Sequence, residues 1–288
     1  LSPDGEWMSY RYDRLEGEDT LYVKELDGEG LYVLPRGASP AFSRDSRWVA
    51  YQIAPPERED EDESEGRGGR GNGDESRTMV LRSLASGDSV TFNDVASFSF
   101  PENTDVLLLR KRGSGDDAEH EGADLVVYDL DSSTSLNLGN VSDFEVNEAG
   151  THLGYLVDAA DDAGNGLYLL ELATNRIRAL DTHQATYAEL SWNDDGDALA
   201  ALRGEVPEEK VQRANILLVL RDLDDPEALE TLDPVEAPGF PEGFVLSELG
   251  GLNWSDDSER IFVGIKEQAD EREELEDRGN VNVWHWAD

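Results

Sequence analysis

Short apolar segments alternate with tight polar turns along the whole chain, and one phrase built from them occurs six times. In its clearest copies, Ser2-Pro3-Asp4-Gly5 precedes Trp7 and Phe42-Ser43-Arg44-Asp45-Ser46 precedes Trp48. The equivalent turn positions are 41, 57, 47, 46 and 62 residues apart, at Gly5, Ser46, Asn103, Gly150, Gly196 and Ser258. A period of roughly 40 to 50 residues made of short strands predicts a β-propeller with one four-stranded antiparallel blade per repeat.

The turn residues explain why two strands meet at each copy of the phrase. Pro restricts φ, Asp or Ser accepts hydrogen bonds from nearby amides, and Gly adopts the positive φ that closes a tight turn. We predict that the strand after each turn is the innermost strand of its blade. These strands begin near Trp7, Trp48, Val106, Leu153, Leu199 and Ile261.

A second strand follows in every repeat and is an almost continuous apolar run, as in residues 125–128 and 216–219. Such runs are expected for strands that are buried on both faces between stacked blades. Helical periodicity is almost absent. The sequence therefore predicts an all-β protein, with residues 1–288 forming one propeller segment of about five and a half to six blades.

Two insertions interrupt the pattern. Residues 58–77 form an acidic, Gly- and Arg-rich stretch between the first and second strands of the second repeat. Without apolar residues it cannot offset the entropy lost on ordering, so we expect a flexible loop. Residues 269–279 form an acidic insertion between two strands of the sixth repeat, which we interpret as a solvated excursion.

The number of blades is expected to be incomplete. The sequence opens inside a turn and stops in the second strand of the sixth repeat. Because a propeller is stabilised by closing its ring, we expect residues 1–288 to be a segment of a larger protein.

Composition adds a strong and widely spread negative charge. The chain has 24 Lys and Arg against 65 Asp and Glu, a net charge of −41. Removing the two acidic tracts, residues 57–65 and 270–278, still leaves 52 acids against 21 bases. We interpret this as adaptation to high salt, where a carboxylate shell stays hydrated and its repulsion is screened; attraction of a cationic partner is the alternative.

The same composition excludes several classes of function. No basic patch exists for binding nucleic acid, and no run of about 18 apolar residues is present to span a membrane. The absence of Cys excludes disulfides and thiolate metal sites but leaves the compartment open.

We find no motif that carries catalysis or binds a cofactor. A G-x-S-x-G elbow, a His-Glu-x-x-His pair and a phosphate loop are all missing. Residues 158–166 have oxygen ligands but the wrong spacing for a calcium loop, and a tight hairpin accounts for them equally well. We predict no catalytic residue, no metal site and no cofactor, and we leave substrate-binding residues unassigned. Four histidines lie far apart in the repeats and are interpreted as surface or structural residues: His120, His152, His183 and His285.

The blade phrase resembles the repeats of Tol-type periplasmic propellers and of the N-terminal propellers of the prolyl oligopeptidase family of serine peptidases. Residues 139–144, 165–168, 190–192 and 198–204 favour the peptidase side. The most specific segment is residues 281–288, Val-Asn-Val-Trp-His-Trp-Ala-Asp, which is similar to a Val-x-x-Trp-x-Trp-x-Asp element of large bacterial members. The family's α/β-hydrolase domain, with its Ser, Asp and His, is not in these residues.

This resemblance implies a non-catalytic propeller that caps the active site of a hydrolase domain in the same polypeptide and gates the access of peptide substrates. The location is left unknown, with a periplasmic or secreted one slightly favoured over a cytoplasmic one. Two other hypotheses stay open. One is a stand-alone binding or scaffold propeller, and the other is a propeller that is itself an enzyme, such as a glycosidase with paired carboxylates.

Overall fold

The computed structural model describes residues 1–13, 17–54, 77–113, 120–225 and 228–271, and their regular structure is nearly all β-strand. In that part of the chain the helical structure amounts to one 3₁₀ turn, Ala160–Asp162. The strands are β1 (Trp7–Tyr12), β2 (Thr20–Glu25), β3 (Leu31–Pro35), β4 (Gly37–Phe42), β5 (Trp48–Ile53), β6 (Thr78–Ser83), β7 (Ser89–Phe92), β8 (Val95–Ser99), β9 (Val106–Lys111), β10 (Ala123–Asp129), β11 (Ser135–Val146), β12 (His152–Val157), β13 (Gly166–Glu171), β14 (Arg176–Thr182), β15 (Thr186–Trp192), β16 (Leu199–Glu205), β17 (Ala214–Leu220), β18 (Leu229–Leu232), β19 (Phe244–Leu246), β20 (Leu252–Trp254), β21 (Ile261–Val263) and β22 (Ile265–Glu267).

The strands form propeller blades of antiparallel neighbours in chain order, which confirms the predicted fold class. Blade 1 is β1–β3, blade 2 is β4–β7 and blade 5 is β15–β18. Blades 3 and 4 share the long strand β11, which pairs with β10 through its first half and with β12 through its second. Blade 6 is one interrupted hairpin, in which β19 pairs with β22 and β20 pairs with β21.

In blades 2 to 5 the strand that follows the turn is not the innermost one, so the prediction is wrong for these four blades. An innermost strand must be an edge of its sheet, but β5, β9, β12 and β16 each lie between two neighbours. The inner edge is the strand before the turn, such as β4 or β15, whereas the opposite edges β7 and β18 are mostly exposed.

These first strands were not recognised in the sequence because each contains a β-bulge. In blades 2 to 5 the register between the first and second strands shifts by one residue, between Ala38 and Ala41 in blade 2 and between Ala188 and Ser191 in blade 5. A bulge breaks the alternation of inward and outward side chains, so the apolar period of two is lost there.

The core consists of apolar layers between neighbouring blades. Leu167 and Leu169 of blade 4 pack against Leu199 and Leu218 of blade 5. Four similar layers join blades 1 and 2, 2 and 3, 3 and 4, and 5 and 6. Because alternate side chains of a strand point to opposite faces, each central strand supplies two layers. This explains the continuous apolar runs.

The two predicted insertions fall mainly outside the described residues, namely residues 58–76 and 272–279. The first residues of the second insertion are described, and Asp270 pairs with Lys210 of blade 5. Among the described residues no helix is long and apolar enough to cross a membrane.

Candidate functional site

The turns between the first and second strands of the blades make up one side of the molecule, which we call the turn face. In blade 2, Ser43 Oγ donates to Asp45 (2.6 Å) and accepts from the amide of Trp48 (3.0 Å). Ser2 and Ser255 repeat this arrangement. In blade 4, Asn147 Oδ1 accepts from two amides instead. The repeated polar phrase therefore encodes a hydrogen-bonded turn.

These turns also bond to the next blade. The amide of Asp4 donates to Ser46 Oγ (3.1 Å), Asn103 Nδ2 donates to the carbonyl of Glu148 (2.7 Å), and Asn147 Nδ2 donates to the carbonyl of Gly196 (2.8 Å). The turn face is consequently a set of turns that these hydrogen bonds link to one another.

The opposite side, which we call the loop face, carries the connections between second and third strands and those between blades. Antiparallel pairing places these connections at the other ends of the same strands. Blades 5 and 6 are joined there by a reciprocal pair, in which the amide of Gln212 donates to Gln268 Oε1 (3.0 Å) and Gln268 Nε2 donates to the carbonyl of Gln212 (2.8 Å).

A compact group of ionisable side chains on the loop face lies between blades 4 and 5 and centres on Asp181. Tyr187 Oη donates to Asp181 Oδ2 (2.5 Å), and Arg203 Nη1 lies 2.8 Å from both carboxylate oxygens. Arg203 also donates to His183 Nδ1 (2.7 Å), and that nitrogen is 3.3 Å from Asp181. Asp181 is largely buried, whereas about half of His183 is exposed.

This Asp181 cluster has the acid and the histidine of a hydrolytic triad, but within the described ranges no Ser or Thr hydroxyl is hydrogen-bonded to His183. The hydroxyl group that bonds to Asp181 is the phenol of Tyr187, and burial raises the pKa of this phenol above its ordinary value. A phenol held protonated beside a carboxylate serves as a hydrogen-bond donor. The cluster therefore stabilises the junction of two blades.

The other predicted histidines have structural surroundings or lie outside the described residues. His152 Nδ1 is 3.0 Å from Thr151 Oγ1, and that hydroxyl is already bonded to Asn147 in the turn. Burial lowers the pKa of His152. His120 lies in the connection that leads into β10, and His285 lies outside the described residues.

A second group, of carboxylates, gathers where blades 4, 5 and 6 meet. Glu189 sits in the bulge of β15 at a φ of +59°. Burial raises its pKa, and the negative charges of Asp143 and Glu248 raise it further. Burial alone would also raise the pKa of Glu248, but bonds from Lys266 Nζ (2.7 Å) and Asn215 Nδ2 (3.0 Å) hold it below its ordinary value.

The partly buried carboxylate of Glu189 gives a testable prediction. Its raised pKa means that ionising it costs free energy in the folded state, a cost present above the folded pKa and absent below the unfolded value of about 4.3. We expect Glu189→Gln to raise the melting temperature by about 1–2 °C near pH 7, the size of a weak electrostatic change. Near pH 4 the difference should vanish.

Thermal melts of wild type and variant at both pH values check this prediction. Glu29→Gln removes one charge at an exposed position in blade 1 and is the matched control. An equal gain from both variants would mean that only net charge matters.

A cavity of about 320 Å³ lies near the turn face between blades 3 and 4. Its apolar wall includes Leu108, Phe144 and Val146, and Glu102 and Glu148 stand at its polar side. An apolar wall beside carboxylates suits a group with an apolar body and a positive tip.

The segment 158–166, considered for calcium, is organised around Asn165. Its Oδ1 accepts from the amide of Ala159 (2.7 Å), while Nδ2 donates to the carbonyl of Ala185 (3.0 Å) and to Asp162 (3.1 Å). These oxygens are occupied in closing a hairpin. In the described ranges no group of three or more His, Asp or Glu is arranged to hold a metal ion.

Comparisons with known proteins identify no family for this chain. No protein-family model and no curated protein sequence match the chain. Among solved structures, the β-propeller domain of the Trilobed protease from Pyrococcus furiosus is 12% identical with a TM-score of 0.42, over 91% of this chain and 75% of that one. A prolyl endopeptidase is 12% identical with a TM-score of 0.44, over 86% of this chain and 37% of that one. TolB from Acinetobacter baumannii is 12% identical with a TM-score of 0.33, over 81% and 52%. Similarity of this degree carries no conclusion about family or activity.

Proposed function

We propose that residues 1–288 are the non-catalytic propeller of a prolyl oligopeptidase-like serine peptidase, where they cap the active site and gate the access of peptide substrates. The observation that carries the proposal is the Asp181 cluster. The acid–histidine pair of this cluster is engaged by Arg203 and Tyr187, and no Ser or Thr hydroxyl among the described residues is hydrogen-bonded to His183. We infer that residues 1–288 serve the peptidase by their position and shape.

The propeller is physically suited to such a role. Its apolar layers fix neighbouring blades against each other, so the loops at one face are held in constant relative positions. The resemblance of residues 281–288 to the peptidase element supports the assignment and belongs to a segment outside the described residues. The proposal includes two further parts: loops at one face of the propeller gate the access of substrates, and the propeller contacts a hydrolase domain.

We also propose that the acidity of the chain is an adaptation to high salt. At the junction of blades 4, 5 and 6, burial raises the pKa of Glu189, and the negative charges of Asp143 and Glu248 raise it further. Such repulsion is tolerable where salt screens it.

Serine-directed fluorophosphonate labelling tests the catalytic part. The isolated chain should not be labelled, and the full polypeptide from the parent gene should be labelled at a serine outside residues 1–288. Heat-denatured samples provide the control for nonspecific reaction. Labelling within residues 1–288 would overturn the non-catalytic assignment, and an unlabelled parent polypeptide would favour the stand-alone binding propeller.

A further inference from the structure

We propose that one face of blade 1 is a docking surface for a further propeller blade, which covers it in the intact protein. The surface consists of Met8, Tyr10 and Tyr12 of β1 and Tyr22 of β2, and we call it the open face. Tyr10 is paired directly with Tyr22 across the two strands, so their side chains share one side of the sheet. Tyr10 is 41% exposed and Tyr12 is 58% exposed.

The positions equivalent to the open face are buried in other blades. Equivalence is fixed by the turn hydrogen bond, in which the amide of Ser2 donates to the carbonyl of Trp7 just as that of Ser43 donates to Trp48. By this rule the counterpart of Met8 in blade 2 is Val49, and that of Tyr10 is Tyr51. Tyr22, which pairs with Tyr10, corresponds to Val80, which pairs with Tyr51. Those three residues are 0%, 3% and 5% exposed, in the layer that blade 1 makes with blade 2.

The aromatic pair of the open face has a covered counterpart in blade 4. Tyr10 and Tyr22 stack with ring centroids 5.1 Å apart and planes 8° apart. Tyr155 and Tyr168 stack at equivalent positions, 5.2 Å and 15° apart. Tyr155 is 4% exposed, because blade 3 packs over it. An exposed tyrosine pair by itself would also fit a sugar ring, but its covered copy identifies the pair as part of a blade interface.

The chemistry of the blade that would pack on the open face follows from the blade faces that pack on the equivalent positions elsewhere. Blade 2 presents Ala50, Met79 and Leu81 to blade 3, and blade 3 presents Leu108 and Leu125 among others to blade 4. Each cover is an apolar sheet face contributed by second and third strands. The occupant is therefore a four-stranded blade with aliphatic residues on that face.

The outer strand of blade 1 is not part of the docking surface. Val33 of β3 pairs with Tyr22, and its counterpart Thr91 pairs with Val80. Thr91 is exposed although blade 2 is covered by blade 1. Val33, which is 51% exposed, should therefore stay accessible beside a covered Tyr10.

Cysteine accessibility tests the proposal, since the chain has no native Cys. Tyr10→Cys and Val33→Cys are made singly in the isolated chain and in the full parent polypeptide. Modification by a maleimide is followed by mass spectrometry of the peptide concerned, and circular dichroism confirms that each isolated variant is folded. In the parent polypeptide, position 10 should react at least about tenfold more slowly than in the isolated chain, and position 33 at an unchanged rate.

Equal rates at position 10 in both proteins would overturn the proposal. Protection already present in the isolated chain, at any concentration, would assign the cover to residues 272–288 and overturn an external blade. Protection that grows with chain concentration would assign it to a second copy. The proposal rests on the proposed function only in placing residues 1–288 within a longer polypeptide. A parent polypeptide that protects position 10 but has no reactive serine would support the docking surface and contradict the peptidase.

Discussion

Replacing Gly150 with Ala should destabilise the protein far more than the same change at Gly5, although both residues occupy the same turn position. Both have positive φ, +67° and +76°, so Ala carries a strain of about 1–2 kcal/mol at either site. A Cβ at Gly150 would lie 2.2 Å from the carbonyl oxygen of Asn103 in the next turn, whereas nothing lies within 4 Å at Gly5. We expect a total cost of about 3–4 kcal/mol at Gly150.

Gly196 provides an intermediate case. It has a φ of +68°, and a Cβ there would lie 2.8 Å from the amide nitrogen of Glu148. Urea unfolding of the three variants should therefore rank them in the order Gly5→Ala, Gly196→Ala, Gly150→Ala, from least to most destabilised. An equal loss of unfolding free energy at all three positions would show that contacts between neighbouring turns do not contribute to stability.

Thermal stability should rise steeply with salt. The net charge of −41 is spread over the surface, and the Debye length falls from about 30 Å at 0.01 M to about 3 Å at 1 M. Screening should relieve the repulsion and raise the melting temperature by on the order of 10 °C across that range. Differential scanning calorimetry in potassium chloride measures the shift.

Sucrose is the control for this experiment, because it strengthens apolar burial without screening charge. A melting temperature that stays flat in potassium chloride would contradict the adaptation to high salt. A cationic partner would then be the better explanation of the acidity.

The fold was largely predictable because its strongest determinants are local. Turn residues such as Ser43 and Asp45 bond within five residues of each other, and central strands such as β13 are apolar on both faces. Both features leave a direct trace in the sequence. The first strands of blades 2 to 5 left no such trace, because a bulge interrupts the alternation of inward and outward side chains.

The two ionisable groups were not predictable by the same means. Asp181, Tyr187 and Arg203 come from three different strands of two blades, and no spacing rule brings them together. Glu189 owes its raised pKa to a bulge and to acids from two other blades, Asp143 and Glu248. The chain has 65 acidic residues, and the sequence alone does not show which of them lie close together in the folded protein.

The strand shared by blades 3 and 4 limits how the propeller can open. β11 contributes main-chain hydrogen bonds to both blades, so these two blades form one continuous seven-stranded sheet. The two halves of β11 meet at Val141, which pairs with Ala123 of β10 and with Val157 of β12. The layer between blades 4 and 5 is made of side chains. Separating blades 3 and 4 would therefore disturb main-chain pairing at Val141, whereas separating blades 4 and 5 would disturb mainly side-chain packing.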